Sequence, residues 1–288
     1  MSPFDLTRLP VLVMILGLAG TGAFAQQGAV GLDTTPERLQ ARSDVRGLAF
    51  TMLERLPPPA GARKVEFCSH YEAKPASEGA RAARAQGWTV TGEAPFGPFT
   101  AVSFAGRFEA ATSGTCFVHE GNVGIFKGAR LLAIAYAQRG GTQSIGKVTA
   151  LEGGAVRVWS GEPGGGPIAD LRAEDGGYLL RLGSLAPRES VCGGRASVPN
   201  IYGMPIDRAR RALGQAGWSP VPADAAGDDR FGREAELRRR GIVEVEGCSG
   251  TGFGYCNYTY RGAAGQLSVT TMGEGDFPTV AGYEASCS

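Results

Sequence analysis

Six cysteines, Cys68, Cys116, Cys192, Cys248, Cys256 and Cys287, all follow a leader with the marks of export, and that combination constrains the fold more than any other feature. An even number of cysteines in an oxidising compartment reads as three bridges stapling small cores. Chain economy favours Cys248–Cys256 across the loop Cys-Ser-Gly-Thr-Gly-Phe-Gly-Tyr-Cys and Cys68–Cys116, which leaves Cys192–Cys287. The leader, residues 1–25, carries Arg8, an apolar run over 9–19 and the small-x-small end Ala23-Phe24-Ala25 before Gln26. This predicts a signal cleaved near Ala25 and a periplasmic or secreted protein. The apolar run, about 11 residues, is well short of the roughly 18–20 that cross a bilayer, so no membrane span is expected.

Charge excludes a further class. With 29 Lys+Arg against 28 Asp+Glu, the chain lacks the basic footprint of a nucleic-acid binder. Its 43% hydrophobic content permits a packed core.

Residues 26–60 read as an amphipathic helix and a Pro-rich linker. Thr35-Pro36-Glu37 has helix-start chemistry, Leu39, Val45, Leu48, Met52 and Leu56 fall near helical spacing, and Pro57-Pro58-Pro59 ends the run. From 61 to 196 the pattern is mainly period two, as in Thr100-Ala101-Val102-Ser103-Phe104. Hairpins are expected at 123–126/131–136, 145–151/155–159 and 168–172/178–182, with glycines where positive-φ turns require them. This predicts an antiparallel sheet domain. Residues 197–288 change to helices at about 206–216 and 233–240, then strands at 242–246, 257–261, 266–272 and 279–285. The chain is therefore expected to be α+β and β-rich, ending in a small helix-helix-plus-four-strand domain.

An internal duplication would join these halves. Residues 81–89 and 211–219 share a helix end, a Gly stop and a Trp opening a strand. Ser113-Gly114-Thr115 recurs as Ser249-Gly250-Thr251, Asn122 as Asn257, and Lys127-Gly128 as Arg261-Gly262. A true repeat would favour pairing Cys192 with Cys248 or Cys256. Without one, both copies simply use the same helix-stop chemistry.

Val198-Pro199-Asn200-Ile201-Tyr202-Gly203-Met204, then Ala209, Leu213 and Ala216-Gly217-Trp218, resembles the opening of a PASTA domain over 198–218. The resemblance implies a helix packed on a three-stranded sheet. It also implies a family in which some members bind peptidoglycan fragments or β-lactams and others act as spacers. Pro205 stands where that family has a Thr or Ser cap, and the second helix and three cysteines lie outside its pattern. The later order of two helices and a meander looks architecturally like β-lactamase-inhibitor-type α+β units, and such a likeness does not fix function.

Chemical motifs are incomplete. His70 and His119, the two histidines, sit beside Cys68 and Cys116. Joined sulfurs would bring the imidazoles near one another, whereas free thiols would make a Cys₂His₂ zinc set of unusual spacing. The string 141–148 has a phosphate-loop skeleton but Val148 where Ser or Thr should ligate Mg²⁺. No complete nucleophile elbow occurs, and among Glu93, Glu109, Glu120 and Asp170 no spacing selects a pair. Neither metal nor cofactor is expected. Trp88, Trp159, Trp218, Tyr255, Tyr258, Tyr260 and Tyr283 are the natural sources of binding energy. Of these, Trp218, Tyr255, Tyr258 and Tyr260 are the expected binding residues, with the 249–255 loop as a pinned contact surface. The expected function is a non-catalytic binding protein of the bacterial envelope, recognising peptidoglycan or a protein partner. The alternatives are a periplasmic hydrolase using His70 and His119, and a structural spacer.

Overall fold

The computed structural model describes residues 38–61, 66–223 and 231–288, so the signal and the helix-start residues at 35–37 lie outside the described residues. Residues 38–288 belong to one compact unit. It is strand-rich α+β, and no helix among the described residues is long and apolar enough to cross a membrane.

The chain opens with β1 (Gln40–Ser43) and β2 (Leu48–Met52), then α1 (Glu78–Ala85), β3 (Thr89–Phe96), β4 (Phe99–Ala105), β5 (Arg107–Ala110), β6 (Cys116–His119), β7 (Asn122–Lys127) and β8 (Arg130–Ala137). It continues through β9 (Ile145–Ala150), β10 (Val156–Ser160), β11 (Pro167–Glu174) and β12 (Leu179–Gly183). The helix expected over 35–56 is corrected to two strands. Leu48 and Phe50 are buried while Thr51 is exposed, a period-two pattern that the coarser helical spacing overlaid. Gly47 turns the chain at φ +83°, after which β2 pairs with β8 and β1 pairs in parallel with β12. Long-range pairing, invisible in the local spacing, decides the conformation.

Two five-stranded sheets result, ordered β2-β8-β7-β4-β3 and β1-β12-β11-β10-β9. They share a core that includes Phe50, Phe96, Ile125, Ile145, Leu171 and Leu182. Their edges close on one another through side chains. Thr91 Oγ1 on β3 donates to the Gly146 carbonyl at 2.6 Å, and Ser103 Oγ on β4 accepts from the Val148 N–H at 3.1 Å. Edge groups of β9 that would otherwise be open to another strand are thereby satisfied. The contact is close enough that a Cβ on Gly92 would lie 3.0 Å from the Val148 carbonyl oxygen.

The outer face of the first sheet is covered by α1, with Ala80 and Ala83 packed on Phe104 and Phe126. Ser77 caps α1 by accepting from the Ala80 N–H at 3.1 Å, and Glu93 accepts from the N–H groups of Ala76 and Ser77 at 2.6 and 2.9 Å. Burial raises the Glu93 pKa, but these hydrogen bonds and the nearby Arg81 outweigh it and hold the carboxyl below its ordinary value. A depressed folded pKa stabilises above the unfolded value and ceases to do so as pH falls through the folded one. Glu93→Gln should therefore cost about 1 kcal/mol near neutrality, discounted for solvent screening. Urea titrations should find the difference from wild type vanishing toward pH 3; an equal loss at both pH values would refute the assignment.

The remaining elements are β13 (Arg188–Val191), β14 (Ala196–Pro199), α2 (Ile206–Gln215), β15 (Ser219–Pro220), α3 (Gly232–Arg239), β16 (Val245–Cys248), β17 (Cys256–Gly262), β18 (Gly265–Met272) and β19 (Thr279–Cys287). β17, β18 and β19 form a meander, with β15 and β16 on the outer edge of β17, so this sheet has five strands rather than four. A separate core includes Val191, Leu213, Trp218, Leu237, Tyr258 and Leu267. Gly87 and Gly217, at φ +94° and +86°, end α1 and α2 alike and are each followed by a Trp.

The bridges join Cys68 to Cys116, Cys192 to Cys287 and Cys248 to Cys256, with Cα separations of 6.1, 5.4 and 4.0 Å. The pairing of Cys192 that a repeat would favour is not the one found. Three bridges fit a protein that matures outside the cytosol.

Candidate functional site

A cavity of about 630 Å³ lies where the first disulfide hairpin, the β9–β10 edge and the C-terminal sheet meet. Its walls include His70 and Tyr71 from the 3₁₀ turn Glu66–Tyr71, Lys147 on β9, Trp159 on β10, Tyr255 in the Cys248–Cys256 loop and Thr270 on β18. Two bridges stiffen this frame. Cys68 anchors the 3₁₀ turn to Cys116, whose N–H donates to the Tyr71 hydroxyl at 3.1 Å, and the short loop beside Cys256 carries Tyr255. A Cβ on Gly164 would sit 3.0 Å from Met272 Sδ and 3.6 Å from the Tyr255 hydroxyl, so glycine there lets the wall approach that ring.

Trp159 is held from behind. Its indole N–H donates to Thr149 Oγ1 at 2.8 Å, and Tyr202 meets it edge-on with centroids 5.7 Å apart. Tyr202 stacks on Tyr283 at 4.7 Å and lies 5.3 Å from the Arg157 guanidinium carbon. Arg157, 2% exposed, bonds the wholly buried Asp170 through Nε at 2.9 Å and also pairs with Glu189, which accepts from the Tyr283 hydroxyl at 2.8 Å. Burial pushes the Tyr202 and Tyr283 hydroxyls above the ordinary phenol value, so both remain neutral, Tyr202 accepting from Arg157 and Tyr283 donating to Glu189. The Tyr255 hydroxyl is raised by burial and by nearby Tyr71.

Trp218, Tyr258 and Tyr260, expected as binding residues, are corrected to core: each is at most 1% exposed. Tyr258 and Tyr260 share one face of β17 because side chains alternate along a strand. Their hydroxyls find partners, Tyr258 accepting from Thr271 at 3.2 Å and Tyr260 donating to Glu244 at 2.7 Å, while the Trp218 indole N–H donates to the Ser197 carbonyl at 3.0 Å. Tyr255 does line the cavity. Alternation alone could not say which face of the strand looked inward.

The histidines part company. His70 borders the cavity, whereas His119 stacks on Phe117 and lies 3.2 Å from Glu109 Oε2 on the β5–β6 hairpin, away from the lining residues. Cys68 and Cys116 are bridged and hold no thiolate for zinc. Glu93 caps α1, Glu120 accepts from the Ala60 N–H at 3.1 Å, and Asp170 is in the buried ion network, so these carboxylates and Glu109 do different work in different places. Gly146-Lys147, the end of the failed phosphate loop, lies on β9 in the cavity wall. Tyr71 escaped sequence reasoning, although its position three residues after Cys68 placed it beside a bridge. No family model, curated protein or solved structure matches this chain.

Proposed function

We propose that this chain is an exported, non-catalytic binding protein of the bacterial envelope, freed from its signal near Ala25, that recognises peptidoglycan or a protein partner through the cavity between Trp159 and Tyr255. The observation that carries this is the convergence of aromatic and polar side chains from distant segments on one concavity within the roughly 300–1,000 Å³ range of small-molecule sites. Bridges at two of its walls support recognition, because a pre-ordered wall loses less entropy on binding. A spacer has no use for such a surface. A hydrolase using His70 and His119 would need both rings in one cleft, and only His70 borders this one. The PASTA-like opening at 198–218 agrees with an envelope role, although the apolar stripe of its helix, Ile206, Ala209 and Leu213, faces the core rather than the cavity.

Purified protein should be retained on isolated peptidoglycan or on envelope extract, and Trp159→Ala should weaken retention by at least tenfold while leaving the circular dichroism spectrum unchanged. Retention on neither material would overturn the proposal.

A further inference from the structure

The lining of the cavity narrows the ligand, granted the binding role proposed above. Lys147 Nζ lies 5.7 Å from the Trp159 ring centroid and has no carboxylate partner among the described residues. The carboxylates nearby are held by other groups: Glu72 lies 3.7 Å from Arg84, and Glu162, whose charge stays in the wall, accepts from Ser144 Oγ at 2.9 Å. The Tyr255 hydroxyl and the His70 ring nitrogens likewise have no hydrogen-bond partner among the described residues. Each of these open groups thus offers a donor, and one of them is cationic, beside an aromatic surface.

Main-chain groups on the two strands bordering the cavity are taken at the points where other segments cross them. On β9 the Gly146 carbonyl and the Val148 N–H are taken by Thr91 and Ser103. On β19 the Val280 carbonyl accepts from the Gly203 N–H at 2.8 Å, and the Val280 N–H donates to the Met204 carbonyl at 2.9 Å. A peptide adding as an extra strand would find these main-chain partners used up. Recognition must then run through side chains. A lipid tail would leave Lys147 and Glu162 facing hydrocarbon, which costs free energy unless they are paired. A pyranose suits the lining better, since its C–H face can lie on an aromatic ring while its oxygens accept from Tyr255 and His70. A carboxylate on that sugar supplies the missing partner of Lys147.

We infer that the cavity binds a carboxylate-bearing saccharide, with the sugar ring on Trp159 and its carboxylate on Lys147. Calorimetric titration of the full chain with N-acetylmuramic acid, a methyl glucuronide and neutral N-acetylglucosamine tests this. At least one acid should bind ten times or more tightly than the neutral sugar, and the tighter acid indicates whether a cell-wall or a uronic-acid glycan is the source. Lys147→Gln should bring acid and neutral sugar within twofold of each other, Trp159→Ala should abolish binding of all three, and Trp159→Phe should restore part of it. Lys127→Gln, an exposed lysine on the far turn of β7, should change nothing. Equal binding of acidic and neutral sugars, or an acid preference that survives Lys147→Gln, overturns the inference. So does failure of every sugar to bind a protein that peptidoglycan or envelope extract still retains, an outcome that leaves the binding role intact.

Discussion

Asp170→Ala is expected to remove about 3–5 kcal/mol of folding free energy, the usual consequence of stranding a buried charge. Asp170 is fully buried and receives four hydrogen bonds: from Arg157 Nε at 2.9 Å and Nη2 at 3.3 Å, from Arg172 Nη2 at 2.8 Å and from the Ala186 N–H at 2.9 Å. Burial pulls the Arg157 pKa down, but Asp170 and Glu189 more than compensate and leave it above the ordinary value. The guanidinium therefore cannot escape by losing its proton. Without Asp170 it keeps one carboxylate partner, Glu189, on the side facing the C-terminal core.

Removing both charges should be gentler than removing one. The variant Arg157→Met/Asp170→Leu should recover much of the loss when combined with Glu189→Gln, which keeps the Tyr283 hydrogen bond and leaves no carboxylate stranded, because neutral groups of similar volume replace a buried charge cluster at little net cost. The site should respond as well. Arg157 supports Tyr202, and Tyr202 meets Trp159, so Asp170→Ala should weaken envelope retention even at temperatures where the protein stays folded. Urea unfolding followed by circular dichroism reads the stability change. A cost under about 1 kcal/mol would mean that the network carries little of the free energy assigned to it.

What could be read from the chain beforehand divides by distance. The strands between 145 and 183 announced themselves by short apolar runs around glycine turns, and α2 by Ile206, Ala209 and Leu213 on one stripe before Gly217. Those signals are local, and local chemistry settles them. β1 failed because its conformation depends on β12, well over a hundred residues away, and because Leu39 to Met52 fits either period. The cavity failed for the same reason. Lys147 looked like the remnant of a phosphate loop, and Trp159 was one aromatic among seven. Nothing in the order of residues says that both would meet His70 and Tyr255. Tyr258 and Tyr260 were misread because alternation identifies two faces without naming the buried one.

The bridges should rank by the span of chain that each closes. Cross-linking restricts the unfolded ensemble more as the loop lengthens, so Cys192→Ser/Cys287→Ser should cost about 4.7 kcal/mol and Cys248→Ser/Cys256→Ser about 2.6. Cys68→Ser/Cys116→Ser falls between, at about 4 kcal/mol. The corresponding separations are 95, 8 and 48 residues. Cys192–Cys287 ties the end of β13 to the end of β19, and there Arg195 also donates to the Ser288 carbonyl at 2.9 Å. Binding should follow the opposite order. The short bridge beside Cys256 holds Tyr255 at the cavity, so opening it should weaken retention more than opening the long bridge remote from the lining residues. Urea unfolding of the three double variants, with retention on envelope extract measured in parallel, separates the two rankings. If the shortest loop carried the largest stability loss, the bridges would be acting through native packing rather than through the freedom they deny the unfolded chain.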